Sequence, residues 1–220
     1  MDWQAIRLSL RLAAITTFIL LCVGLPVAYW LAVSKWRLKF LVEAVVALPL
    51  LLPPTVLGFY LLIASGPQSP VGRAYERLTG GMLPFSFAGL LLASVLYSLP
   101  FAIRPFAVAF GTVDRRLVEA SWCLGVSRLS TFWRVVVPLS WTGILTGIVL
   151  TFAHTMGEFG VVLMVGGNIP GVTRTVSISI YDDVQALNYA AAGQTALFLL
   201  VISFAALAVT YALQRRVWVL

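Results

Sequence analysis

Long apolar runs alternate with short polar stretches along this chain, and that alternation dominates the sequence. Five of the runs hold about 20 or more mostly apolar residues, the length at which an α-helix crosses the hydrocarbon core of a bilayer. The first run exceeds the hydrophobic core of a cleavable signal peptide and further runs follow it, so we expect it to be retained. The pattern predicts one all-α membrane domain over residues 1–220, with spans at 12–33, 40–64, 85–107, 138–165 and 194–213.

A polar island separates the third and fourth runs and has a helical pattern of its own. Asp114 is suited to cap a helix start, and Gly125 stands where a left-handed residue would end that helix. Leu117, Ala120 and Leu124 fall on one face of it. The island, residues 112–137, is therefore predicted to be a short docking helix followed by a second helix that re-enters the membrane.

The composition supports a membrane protein and narrows the possible partners. The chain is 60% hydrophobic and 10% charged, with a mean hydropathy of +0.98, whereas soluble domains carry about 25% charged residues. The net charge of +7 is spread thinly between apolar runs, which favours lipid headgroups over nucleic acid as its partner. Cys22 and Cys123 lie too far apart in sequence and surroundings to suggest a disulfide or a metal site.

The distribution of Lys and Arg predicts the orientation. Cytoplasmic segments of membrane proteins are enriched in these residues. If the N-terminus is outside, five of them fall on the outer side: Arg7, Arg11, Arg73, Arg77 and Arg174. Nine then fall on the inner side: Lys35, Arg37, Lys39, Arg115, Arg116, Arg128, Arg134, Arg215 and Arg216. We therefore predict an N-out, C-in chain with the polar island in the cytoplasm.

Several enzyme classes are excluded by what the sequence lacks. Neither Lys35 nor Lys39 follows a glycine-rich turn, so no phosphate loop for ATP is present. No nucleophile–base pair, metal-ligand spacing or dinucleotide fingerprint is seen either. We do not expect the chain to be an enzyme, and if its function consumes energy, a partner must supply that energy.

The polar island also resembles a known family motif. Glu119-Ala120-Ser121, then Gly125 and then Pro138, resemble the cytoplasmic "EAA loop" of the permease subunits of ABC importers, with Ser121 and Val137 as mild departures. The resemblance implies a type I ABC importer permease fold and a separate ABC ATPase that uses ATP-Mg, with no cofactor bound by this chain. It assigns ATPase coupling to Asp114, Leu117, Glu119, Ala120, Ser121, Leu124, Gly125 and Pro138.

Prolines interrupt the second run. Pro53 and Pro54 remove backbone donors and free carbonyl groups, which hydrocarbon tolerates only beside other helices or a water-lined cavity. A broken helix lining a path and a kink buried by packing are both consistent with this. The candidate pathway or gate residues are Pro53, Pro54, Thr55, Ser98, Thr151, Thr155 and Glu158.

Glu158 is the acidic residue set well inside a predicted span, with His154 one turn before it. An ionisable group at such depth usually faces the protein interior or a cavity. A carboxylate would repel an anion in a pathway, so we favour a structural or gating role for Glu158 over substrate contact.

The stretch from Asn168 to Thr175 is rich in turn residues and is predicted to be an extracytoplasmic loop. Together with the Gly-Glu-Phe-Gly sequence around Glu158, it resembles the molybdate branch of ABC importer permeases. That resemblance implies the bacterial inner membrane, an extracytoplasmic oxyanion-binding protein, and transport of molybdate and of the similar tungstate ion. The residues assigned to the side of the binding protein are Asn168, Pro170, Gly171, Thr173, Arg174 and Thr175.

The sequence leaves two alternative functions open and also predicts an oligomeric state. A sulfate or thiosulfate ABC permease shares part of the same motif. A secondary transporter should show repeated halves or several buried acids, and neither is evident. A single docking loop per chain favours a homodimer, which presents two loops to two ATPase subunits.

Overall fold

The computed structural model describes the backbone of residues 1–217 and their side chains, except those of 209 and 213–217. Arg215 and Arg216, counted in the charge argument, thus lie outside the described side chains. The described residues form helices joined by short loops: α1 Trp3–Val33, α2 Lys39–Leu51, α3 Pro54–Ser65, α4 Pro70–Thr79, α5 Phe87–Gly111, α6 Arg115–Cys123, α7 Arg128–Thr131, a π-helical stretch Phe132–Val136, α8 Val137–Leu139, α9 Trp141–Gly157, α10 Gly160–Gly166, α11 Val176–Gln185 and α12 Tyr189–Val217.

Helix α1 begins nine residues earlier than the predicted span. The Asp2 carboxylate caps it by accepting from the backbone N–H groups of Gln4 and Ala5, at 2.9 and 3.0 Å. Aspartate at this position satisfies donors that the first helical turn leaves free. Residues 3–11, which mix apolar and polar side chains, are therefore part of a helix of 31 residues rather than a tail before it.

The second predicted span is broken, as the prolines suggested. Helices α2 and α3 are separated at Leu52-Pro53 and their axes differ by 113°. Pro54 occupies the first position of α3, where its missing N–H costs nothing. The two halves therefore run in different directions rather than along one axis.

The fourth predicted span consists of three helices. A bend of 76° at Ser140 separates Arg128–Leu139 from α9, and the chain breaks again at Glu158-Phe159 before α10. Among the described residues, three helices (α1, α5 and α12) are long and apolar enough to cross a membrane, or up to five spans if each bent pair counts as one. The number of crossings and their direction remain sequence-based predictions.

Helices α1, α5 and α9 form the core. Leu20 and Leu31 of α1 pack with Ile103 and Phe106 of α5 and Ile144 of α9. Each of these side chains is buried. Burial of this kind fixes the three helices as one block.

Small residues set the distance between α5 and α9. A Cβ added at Gly143 would overlap Ala109, and one added at Gly147 would overlap the ring of Phe106. These glycines are four residues apart, the small-xxx-small spacing that lets membrane helices approach closely. The four-residue spacing of Gly143 and Gly147 is visible in the sequence alone.

Candidate functional site

The first candidate site, predicted to face the cytoplasm, is helix α6 with the turn that follows it. The Asp114 carboxylate accepts from the backbone N–H of Arg116 at 2.9 Å, which confirms the predicted N-cap. Glu119 lies 3.9 Å from Arg115 on the exposed surface. Such an exposed pair, one helical turn apart, stabilises the helix by only about 0.3–0.5 kcal/mol.

The apolar residues of α6 are not buried within the chain. Leu117 is 49% exposed and Leu124 is 82% exposed, and Ala120 between them is also exposed. Isolated exposed leucines are common, but here they share one face of a short helix. The arrangement leaves an apolar surface free to contact another protein.

Ser121 faces the opposite way. It is buried, and its Oγ lies 2.9 Å from Oγ1 of buried Thr131 in α7. The place where the resemblance expected a second alanine therefore holds a side chain that fastens α6 to the next helix. The Arg128 guanidinium lies over the Trp122 ring, 5.5 Å from its centroid, and adds a second contact between the same helices.

The turn at Gly125 has the predicted left-handed conformation. Its φ angle is +79°, and its N–H donates to the carbonyl of Trp122 at 2.9 Å. The next N–H, of Val126, donates back to Ser121 at 3.1 Å. Glycine adopts this conformation without the penalty that a Cβ brings, so the turn has a fixed direction.

Beyond the turn, the chain connects directly to the core. The Phe132 ring lies 4.9 Å from Tyr29 and 5.8 Å from Phe110, measured between centroids. Pro138 lies in α8 at the near end of the 76° bend. At the bend itself, the Ser140 hydroxyl donates to the Ala109 carbonyl at 3.2 Å. Phe132 thus connects the segment after α6 to both α1 and α5.

A second group of candidate residues lies inside the bundle. Glu158 is only 4% exposed, and its Oε2 accepts from the Ser94 hydroxyl at 2.8 Å. Its Oε1 has no hydrogen-bond partner among the described residues. Glu158 thus connects the break between α9 and α10 to α5, and the structural or gating role favoured from the sequence stays a prediction.

His154 belongs to a neighbouring cluster of hydroxyl groups. The Ser98 Oγ lies 3.0 Å from His154 Nδ1 and 3.1 Å from Thr155 Oγ1. The imidazole also stacks on Phe101 with 3.9 Å between centroids. Ser98, Thr151 and Thr155 are all buried between helices, so in this conformation they do not line an open path.

The remaining pathway candidates border a cavity. Exposed Pro53 precedes α3, and Pro54 and Thr55 line a cavity of about 590 Å³ together with His154 and Glu158. One wall is held close because a Cβ at Gly160 would lie 2.7 Å from Pro54 Cβ. The structure thus brings the proline break and Glu158 to one cavity, which sequence spacing alone did not predict.

The loop predicted to be the outer loop, Asn168 to Thr175, is held by a network centred on Arg174. Its Nη2 lies 2.9 Å from Asp182 Oδ2, and its Nη1 lies 3.9 Å from Asp2. Its Nε donates to Asn168 Oδ1 at 2.7 Å, and Asn168 Nδ2 donates to both oxygens of Asp182 at 3.0 and 2.8 Å. The charge of Arg174 is therefore paired with carboxylates of the same chain.

The threonines of the same loop are internal. Thr173 and Thr175 are buried, and Thr173 Oγ1 accepts from the Ile169 N–H at 3.1 Å. Exposed Pro170 and Gly171 form the tip, and Gly171 has a φ angle of +76°. Among the six residues assigned to the side of the binding protein, Asn168, Pro170 and Gly171 are thus the exposed ones. Helix α11, which follows the loop, runs over Val176–Gln185, and its first turn is buried against the bundle.

The comparisons with known proteins agree with this geometry. Residues 24–219 match the family model described as "Binding-protein-dependent transport system inner membrane component". The chain is 52% identical over 214 residues to the molybdenum transport system permease protein ModB of Azotobacter vinelandii, covering 97% of this chain and 95% of that one. It is 35% identical over 184 residues to the ModB protein of Escherichia coli K12, covering 84% and 80%.

Solved structures show the same fold at low identity. The MetNI methionine ABC transporter in inward-facing conformations matches with a TM-score of 0.76 at 17% identity, covering 99% of this chain and 96% of that one. A bacterial alginate ABC transporter in complex with its pentasaccharide-bound periplasmic protein matches with a TM-score of 0.75 at 15% identity, covering 97% and 78%. These likenesses confirm the predicted type I importer permease fold. Given the apolar helices and the family match, this multi-pass membrane protein belongs to the family of inner membrane components of binding-protein-dependent transport systems.

Proposed function

We propose that the chain is the permease subunit of an ATP-driven importer that carries molybdate, and the similar tungstate ion, across the bacterial inner membrane. The observation that carries this proposal is the 52% identity to a molybdenum permease along nearly the whole of both chains. The sulfate alternative has no comparable relative in its favour among those described above. An N-out, C-in orientation is part of the proposal.

In this proposal, α6 is the contact with a cytoplasmic ABC ATPase. The exposed leucines provide the contact surface, and the Ser121–Thr131 contact and the Gly125 turn hold α6 rigidly on the bundle. Closure of the ATPase subunits on ATP-Mg would displace α6, and Phe132 would pass the displacement to the core. Alternating access would follow as a switch between two packings of the bundles.

Two copies of the chain would enclose the path. The cavity beside Pro54, Thr55 and Glu158 is open on one side in the single chain, and a second copy related by a two-fold axis would close it. The tip at Pro170-Gly171 would meet an oxyanion-binding protein on the outer side. Glu158 would hold the α9–α10 break in place and would not contact the anion.

Reconstitution tests the proposal. The chain, its cognate ATPase and its binding protein would be placed in proteoliposomes, and uptake of radioactive molybdate would be followed. We expect uptake that requires both ATP and the binding protein, and that excess tungstate suppresses while excess sulfate does not. Equal competition by sulfate, or uptake without ATP, would overturn the proposal.

A further inference from the structure

A groove opens between the ends of α1 and α5 and the start of α2, away from the sites described above. Its volume is about 480 Å³. Its walls are mainly aliphatic, formed by Leu31, Val46 and Ile103 among others, and two basic side chains, Lys39 and Arg104, stand among them. A mainly apolar trough that also carries two cations suits a lipid acyl chain and its phosphate.

The charges in the groove are incompletely neutralised. Lys39 Nζ lies 3.9 Å from Glu43 and donates to the Leu31 carbonyl at 3.4 Å. Exposed Arg104 has no ion-pair partner within the described part of the chain, although it is the one charged residue of helix α5. With Glu43 as the one acid in the groove, a net positive charge remains for an anion.

Two further observations place the groove at the level of lipid headgroups. Arg104 precedes the end of α5 at Gly111 by seven residues, which is about 10 Å along a helix. Trp30 and Trp36, both exposed, lie within three residues in sequence of the lining residues Leu31 and Lys39, with 5.9 Å between their ring centroids. Tryptophan is enriched where membrane meets water.

We infer that this groove binds the phosphate headgroup of an anionic phospholipid, with Arg104 and Lys39 on the phosphate and an acyl chain along the aliphatic walls. Basic pockets between membrane helices bind such headgroups on the cytoplasmic side. Assignment to the inner leaflet rests on the orientation proposed above. Binding by the isolated chain does not depend on that orientation or on molybdate transport, so the two proposals can fail separately.

Native mass spectrometry of the full chain in a neutral detergent tests the inference. Phosphatidylglycerol and phosphatidylcholine with the same acyl chains would be titrated in parallel. We expect a retained phosphatidylglycerol adduct that phosphatidylcholine does not match. The variant Lys39→Gln/Arg104→Gln should weaken it about 25-fold, since each basic residue near an anionic lipid contributes about fivefold. The control Arg73→Gln/Arg77→Gln removes two exposed charges from α4 and should change it less than about twofold by the same reasoning.

Removing a negative charge from the groove, instead of a positive one, should strengthen lipid binding, which misfolding would not do. Glu43→Gln removes the acid of the groove and should strengthen the phosphatidylglycerol adduct. Equal binding of both lipids, an equal loss in the α4 control, or a weaker adduct with Glu43→Gln would overturn the inference. Displacement of the adduct by millimolar phosphate or molybdate would indicate a site for a small anion and would also overturn the inference. The same holds if the lipid adduct is absent from a dimer in which the second copy of the chain covers the groove.

Discussion

The hydroxyl groups of Ser121 and Thr131 lie 2.9 Å apart, with both side chains buried, and join the exposed helix α6 to the segment that enters the bundle. Removing one partner leaves a buried hydroxyl unsatisfied, which costs about 1–3 kcal/mol, whereas removing both can be nearly neutral. We expect Ser121→Ala and Thr131→Val each to lower ATP-driven uptake, and the double variant to recover part of it. Uptake and thermal unfolding of all three would be measured. A double variant whose losses simply add would show that the two hydroxyl groups do not act as a pair.

Gly125 provides a test of charge at the docking surface. Nothing lies within 4 Å of a Cβ added there, and Asn and Asp tolerate the left-handed conformation better than most other residues. We expect Gly125→Asn to keep most ATP-driven uptake, and Gly125→Asp to reach the membrane in normal amounts but lose most of it. The two substitutions differ mainly in charge. Equal uptake by both would argue against docking at this turn.

Leu124 should contribute directly to ATPase binding. We expect Leu124→Glu to leave the fold intact, because the side chain is 82% exposed, and to reduce capture of the cognate ATPase by the detergent-solubilised chain. Leu78→Glu is the matched control, since that leucine is 86% exposed on α4. Undiminished capture by Leu124→Glu would exclude this face of α6.

Arg174 should control the order of the outer loop. Its guanidinium contacts Asn168 and Asp182 at once, and a lysine cannot reproduce that planar geometry. We expect Arg174→Gln and Arg174→Lys alike to speed amide exchange in residues 168–175. The change in the free energy of unfolding should stay near 1 kcal/mol or below, because the Arg174–Asp182 ion pair is partly exposed. Full protection in the lysine variant would contradict the role given to the guanidinium.

Ser94 should stabilise the bundle through Glu158. We expect Ser94→Ala to lower the free energy of unfolding in detergent by about 1–3 kcal/mol, because it removes the hydrogen-bond partner of a buried carboxyl. Glu158→Leu on the Ser94→Ala background should cost less than the sum of the two single changes. Additive losses would mean that the 2.8 Å contact between Ser94 and Glu158 is not what Ser94 contributes.

Features formed by neighbouring residues were predictable from the sequence, whereas contacts between residues far apart in the sequence were not. Asp114 and Gly125 act on backbone groups within a few residues, so their spacing was sufficient to predict the cap and the turn. Pro53 and Pro54 likewise indicated a break, although not its angle of 113°. Ser94 lies 64 residues from Glu158 on another helix, and no local pattern could pair them.

The outer loop illustrates a related limit. Its turn residues predicted a loop, but a threonine in a turn-rich segment gives no sign of whether it faces solvent or protein. Thr173 and Thr175 are buried because the loop folds back on α1 and α11, where the Val176 N–H donates to Ser9 at 2.8 Å. Position relative to α1 depends on the packing of the whole bundle, which the sequence does not display locally.

The π-helical stretch Phe132–Val136 connects α6 to the core, and its length sets how far α6 is rotated about the axis of the helix that follows. A π turn accommodates one residue more than an α turn, and one residue corresponds to about 100° of rotation around an α-helix. The orientation of the docking face therefore depends on a single extra residue in this stretch. A change in its length by one residue would redirect that face without altering any residue on it.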